Sequence, residues 1–238
     1  MAYVVDGILI LLFALSVWSG YRKGFIKTMT GILAFVAAVA VAMLLSGPVA
    51  QLVYDSAVEP TVTETVDSYT ASVSGSLESG VDQALSSMPA FVTNLLANGG
   101  ITSGADVLAK VNATDNLAQE ISTTVVEPVV LPLLEMIATL LLFILVYIVA
   151  SILLRVLNVV AKLPLLKQLN KSLGLLAGVL SGILWVLFAA SVVQVAAAIA
   201  GPDFAINQAL LSETVVAQWL IGINPLGSVL RDVTAMIN

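Results

Sequence analysis

Three observations predict an all-α integral membrane protein with four transmembrane helices in two hairpins, a helical extracytoplasmic insert and an amphipathic C-terminal tail. The first is residues 173–200, a run between Lys171 and Asp203 with no ionisable side chain. A spanning helix needs roughly 20 apolar residues to cross a hydrocarbon core of about 30 Å. The second is composition. The 238 residues are 59% hydrophobic and 10% charged, with a mean hydropathy of +1.05, whereas soluble domains carry about 25% charged residues. The third is the placing of the bases. Arg22, Lys23, Lys27, Arg155, Lys162, Lys167 and Lys171 fall in two short loops, and the other two are Lys110 and Arg231.

The first hairpin occupies residues 1–54. Residues 7–21 are charge-free, and Val4, Val5 and Asp6 extend them to a span of about 4–21. A secretory signal would place its positive charge before the apolar run. Here Arg22, Lys23 and Lys27 follow it, so the segment reads as a first span with its N-terminus outside. Trp18 and Tyr21 suit an inner interfacial belt. Gly20 and Gly24 suit a tight turn, because glycine tolerates positive φ. The second span runs over about 28–48, with Ser46-Gly47-Pro48 as its expected end.

Residues 55–127 change character. Ten acids stand against one base, Lys110. Val62, Val66, Tyr69, Val73, Leu77, Val81 and Leu85 recur every three or four residues, the period of an amphipathic helix. Ser87 and Pro89 open a short helix that ends at Gly99-Gly100. Leu117, Ile121 and Val125 mark a helical face leading back to the membrane. The rival for such an acidic, Ser/Gly-rich stretch is a chain without a core.

The second hairpin covers residues 128–201, with spans of about 134–154 and 174–200. Pro128 and Pro132 fit an entry turn before the third span. Residues 202–238 are too polar to span. Apolar spacing at Leu211, Val215, Trp219 and Leu220, a stop at Gly222, and a second pattern at Leu226, Val229, Leu230, Val233 and Ile237 predict two short helices on the membrane or against the bundle. The positive-inside rule then puts both basic loops in the cytoplasm and the N-terminus, insert and tail outside.

The turn reads Gly20-Tyr21-Arg22-Lys23-Gly24-Phe25-Ile26-Lys27, with Val5-Asp6 at the head of the first span. Before the last span stands Leu169-Asn170-Lys171-Ser172-Leu173-Gly174-Leu175-Leu176-Ala177-Gly178. In this order and four-span setting the two stretches resemble the CvpA family, the bacterial colicin V production proteins. The resemblance covers the two hairpins and leaves out most of residues 55–127. It implies a bacterial inner-membrane protein linked to colicin V or toxin production, secretion or envelope maintenance.

Gly174, Gly178 and Gly182 form a helical face that bares a groove for close approach. The spacing leaves open whether it packs within the chain or against another subunit. The expected partners are the lipid bilayer and a second copy or another membrane protein. Ionisable groups within spans are functional candidates by default. Asp6 and Glu135 fall near outer ends and Arg155 near an inner end, where snorkelling or solvation accounts for them. Gln194 suits a hydrogen bond to a neighbouring helix.

With no His and no Cys, the commonest metal ligand, the usual general base and all thiol chemistry are missing. No phosphate-cradling loop or nucleophile elbow is present. The acids are spread too evenly for a cation loop, and a net charge of −6 disfavours nucleic acid. The reading is a non-enzymatic protein without cofactor or metal. A small oligomeric channel or transporter is the alternative.

Overall fold

The computed structural model describes residues 2–72, 76–111, 116–157, 167–199 and 206–223. Among them every regular element is helical: α1 (Ala2–Lys23), α2 (Phe25–Val53), α3 (Glu59–Ser72), α4 (Leu77–Ser87), α5 (Ala90–Asn98), α6 (Gly104–Leu108), α7 (Leu117–Ile121), α8 (Glu127–Leu157), α9 (Lys167–Ile199), α10 (Gln208–Ser212) and α11 (Val216–Ile223). Two π-helical turns, Tyr54–Val58 and Ser122–Val126, join α2 to α3 and α7 to α8. Four helical stretches are long and apolar enough to cross a membrane: Ala2–Lys23, Phe25–Ala71, Leu117–Leu154 and Asn170–Ala197.

The chain divides into two compact units. The first comprises Met1–Ser46, Ala138–Gln194 and Gln208–Gly227. Its interior is aromatic. Phe35, Ala38 and Ala42 of α2 pack on Phe143 of α8, with Tyr147, Leu184, Trp185 and Phe188 around them. Phe35 meets Phe143 edge-on at 4.8 Å, and Trp185 meets Tyr147 edge-on at 5.2 Å. Such geometry adds about 0.5–1.5 kcal/mol per pair beyond burial. That matters in lipid, where packing rather than water exclusion holds helices together. Leu11, Leu44, Leu141 and Leu176 face outward, as a lipid-facing surface requires.

The second unit comprises Gly47–Ile137, Val195–Asn207 and Ser228–Asn238. It has a core of its own, with Val62, Val66, Val81, Val92, Leu96, Val107, Ile121 and Val125 buried. Local caps define its short helices. Ser76 accepts the Ser79 N–H ahead of α4, and Ser103 with Asp106 forms a capping box on α6. Gly100, at φ +77°, closes the end of α5.

Several expectations are corrected. The period from Val62 to Leu85 is not one helix. It is two packed against each other, α3 and α4, with Ser76 starting the second. Leu77 is therefore exposed, and Val73 lies outside the described residues. Neither Ser46-Gly47-Pro48 nor Pro128 and Pro132 ends or turns a helix: Pro48 lies inside α2, and Pro132 inside α8. Ending a helix in lipid strands backbone groups with no water to bond, so prolines that break soluble helices are absorbed. The Ser46 hydroxyl helps by donating to the Met43 carbonyl at 3.4 Å.

The two π turns share a sequence cause. Each is followed at once by Glu-Pro, Glu59-Pro60 and Glu127-Pro128. The N–H of Glu59 reaches back to the Tyr54 carbonyl, and that of Glu127 to the Ser122 carbonyl. A proline gives no N–H and its ring crowds the carbonyl four residues back. A turn widened by one residue relieves both problems.

Candidate functional site

The first sequence motif builds a one-residue turn. The Gly24 N–H donates to the Gly20 carbonyl at 2.9 Å, and Gly24 sits at φ +82°. It is the left-handed residue that closes α1. The next helix starts immediately, and Asn170 of α9 reaches across to accept the Ile26 N–H at 3.4 Å. One of the orphan donors of α2 is thereby capped by another helix. Asn170 also lies where a Gly24 side chain would have to go. Gly24 is thus fixed twice, by its backbone and by its neighbour.

Gly20 has a different role from the one its turn position suggests. It is helical and buried, and a Cβ built on it would lie 2.5 Å from both the Gly174 carbonyl oxygen and the Gly178 Cα. A Cβ on Gly178 would lie 2.9 Å from the Val17 carbonyl oxygen, and one on Gly182 would lie 2.8 Å from a ring carbon of Phe13. The ladder Gly174, Gly178, Gly182 faces α1 of the same chain, backbone to backbone at its first two steps. The two motifs are thus one contact. Phe25, at the head of α2, is half-buried.

The bases of the turn divide by partner. Arg22 lies over the Trp18 ring at 4.9 Å, and Lys171 over the Tyr21 ring at 5.8 Å. Lys23 and Lys27 instead line a slot of about 360 Å3, whose walls come from α1, α2, α8 and α9. Ser16, Ser19 and Ser181 give it hydroxyls, and Leu12 and Trp185 give it apolar surface.

The intramembrane polar candidates separate as well. Asp6 is 7% exposed and does not snorkel. Its carboxylate accepts the N–H groups of Val215, Val216 and Ala217 at 2.9, 3.1 and 3.0 Å. Those are the first donors of α11, so the head of the first span caps a tail helix, with its charge on the favourable end of the helix dipole. The cap sets the rotation of α11. Ala217 and Leu220 turn inward, while Val215 and Trp219, which share the apolar spacing with Leu220, turn out. The second tail pattern, Leu226 to Ile237, lies outside the described residues.

Glu135 is half-buried, with a carboxylate oxygen 3.8 Å from where a Gly47 Cβ would sit. Arg155 belongs to α8, but its side chain lies outside the described residues, as do Lys162 and the side chain of Lys167. Gln194 is 6% exposed, and its carbonyl oxygen meets no described donor.

A further polar cluster escapes a motif search. Gln51 donates to Glu127 at 3.3 Å, and Gln119 donates to Glu59. Between them Tyr54, 1% exposed, donates to the Ser122 carbonyl at 2.7 Å and pairs with the Ser122 hydroxyl at 2.9 Å. Both segments read Gln-x7-Glu-Pro, and Ser122 follows Tyr54 by 68 positions. Each glutamine bonds the glutamate of the other copy, as in two antiparallel helical copies of one motif. The repeat is visible in sequence once the two Val-Glu-Pro triplets are aligned. Among the described residues no group of acids is arranged to hold a metal ion.

Helices of spanning length, with a packed aromatic interior and a glycine-to-glycine seam, define an all-helical multi-pass membrane protein. The family model described as Colicin V production protein matches residues 5–97 of the chain. The match takes in α1 to α4 and most of α5, so it reaches into the acidic insert and stops short of the second hairpin. The motifs that carry the resemblance in sequence lie instead in both hairpins and not in the insert. No curated protein and no solved structure matches the chain.

Proposed function

We propose that the protein is a non-enzymatic accessory of the bacterial inner membrane, acting in colicin V or toxin production, secretion or envelope maintenance. The domain matched over residues 5–97 supplies the biological setting. The observation that carries the molecular part is the aromatic interior of the first unit. Phe35, Phe143, Tyr147, Trp185 and Phe188 lie within 4.3–6.5 Å of one another, centroid to centroid, wherever they pair. A conducting path needs a continuous polar lining, and the close-packed rings around buried Phe35 and Phe143 interrupt one. That favours a scaffold over a pore.

The proposed orientation puts the basic turn in the cytoplasm and the insert and tail outside. The contact of Asp6 with α11 supports an even number of crossings between them, since it brings the head of α1 to the tail. Two measurements test the reading together. Cells lacking the protein should lose colicin V-type toxin export or envelope integrity and regain it on complementation. Proteoliposomes of the purified chain should show no more solute flux than empty ones. Flux above that background would replace the scaffold by a channel.

A further inference from the structure

We propose that the slot between α1, α2, α8 and α9 binds the phosphate group of an anionic lipid, with Lys23 and Lys27 as its charge partners. Four observations point there. Among the described bases near the turn, Arg22 and Lys171 are turned onto aromatic rings, while Lys23 and Lys27 line the slot. No carboxylate is among its described lining residues, so the two lysines stand there without an acidic side chain among those residues. Lysine binds phosphate as a point charge with three donors, and the hydroxyls of Ser16 and Ser19 add neutral donors beside it.

Leu12, Leu15 and Trp185 add apolar surface to the wall. Charge at one part and hydrocarbon at another match an amphiphile better than a soluble anion. At about 360 Å3 the slot is near the lower end of ligand pockets, room for a headgroup and the start of its chains. Gly31 is the fourth observation. It lines the slot, yet a Cβ there would meet nothing within 4 Å. A tightly packed helix pair would not leave that space.

The test uses the full chain in nanodiscs, with Trp18→Phe and Trp219→Phe leaving Trp185 as the only tryptophan. Phosphatidylglycerol with brominated chains is titrated into phosphatidylcholine discs, and brominated phosphatidylcholine is the control. Trp185 should be quenched at about tenfold lower mole fraction by the anionic lipid, a difference of about 1.4 kcal/mol. Lys23→Gln with Lys27→Gln should abolish that preference, while Lys23→Arg with Lys27→Arg and Lys171→Gln should keep it. Gly31→Leu fills the slot without changing charge, and it too should abolish the preference while the protein stays folded. Equal quenching by both lipids, or a preference that survives Gly31→Leu, overturns the proposal. Inorganic phosphate that displaces the lipid at equal concentration, with the same dependence on Lys23 and Lys27, would assign the slot to a soluble anion and overturn the lipid.

Discussion

Gly178 shows how little room separates α1 from α9. A methyl group there would be 2.9 Å from the Val17 carbonyl oxygen and 3.1 Å from the Gly20 Cα, and backbone cannot swing aside as a side chain can. Gly178→Leu should therefore lower stability by on the order of 1–3 kcal/mol, with Gly178→Ala milder but measurable. Because the seam lies within one chain, the readout is protease sensitivity of the monomer rather than loss of crosslinked oligomers. An unchanged digestion pattern for Gly178→Leu would sink the seam. A second residue sets a pH dependence. Asp106 accepts the Thr102 N–H, the Ser103 and Thr102 hydroxyls and the Ser103 N–H. These bonds, that of the Thr102 backbone foremost, hold its carboxyl below the usual carboxylate range. A depressed folded value means its contribution is whole above the unfolded value of about 3.9 and fades as pH falls through the lower folded one. Thermal unfolding should show Asp106→Asn less stable than the parent at neutral pH. The gap should close only in strongly acidic buffer. A gap that does not change with pH would remove the carboxylate from the account.

At the scale of elements, the paired π turns make the sharpest prediction. The Ser122 carbonyl accepts both the Glu127 N–H and the Tyr54 hydroxyl. Tyr54→Phe should cost about 1 kcal/mol, the usual net value of a hydrogen bond. Ser122→Ala should cost less, since the Tyr54 bond to the carbonyl survives it. Equal costs in a denaturant titration of the two variants would point to the hydroxyl pair instead. These elements also show where sequence legibility stops. Charge-free runs announce the spans, because length and lack of charge are all that crossing hydrocarbon demands. Helix ends do not follow from Pro48, Pro128 and Pro132, because the stop rules of soluble helices depend on water to take up the freed backbone groups. The short helix after Pro89 is legible from its local signals, Pro89 at its start and Gly99-Gly100 at its end. The partner of the glycine ladder is not, because the pattern at Gly174 and Gly178 reports a groove and not what fills it. Asp6 is opaque for the same reason: its partners are more than two hundred residues away.

For the whole molecule, the orientation is open to direct test, and a chain with no cysteine needs no background mutations. Single cysteines at the exposed positions Ser86 and Ser212 should react with an impermeant thiol reagent in whole cells, and one at exposed Ser172 should react only after permeabilisation. Labelling at Ser172 alone would invert the topology. Asp6→Ala should free α11 and make the tail cleavable, with Asp6→Asn intermediate because the amide offers one acceptor oxygen. A tail equally resistant in all three proteins would show that α11 is held by its apolar contacts alone. The clamp also has a place in time. Asp6 leaves the ribosome early, and the amides that receive it lie 209–211 residues further on. At about 5–20 residues per second, that is a wait of roughly 10–40 s. For that interval the first helix enters the bilayer with a carboxylate that must stay at the wet interface. Only a chain translated past Ala217 can draw it in. The clamp is therefore a late step in building the fold, open to the chain only after all four candidate spans have been synthesised.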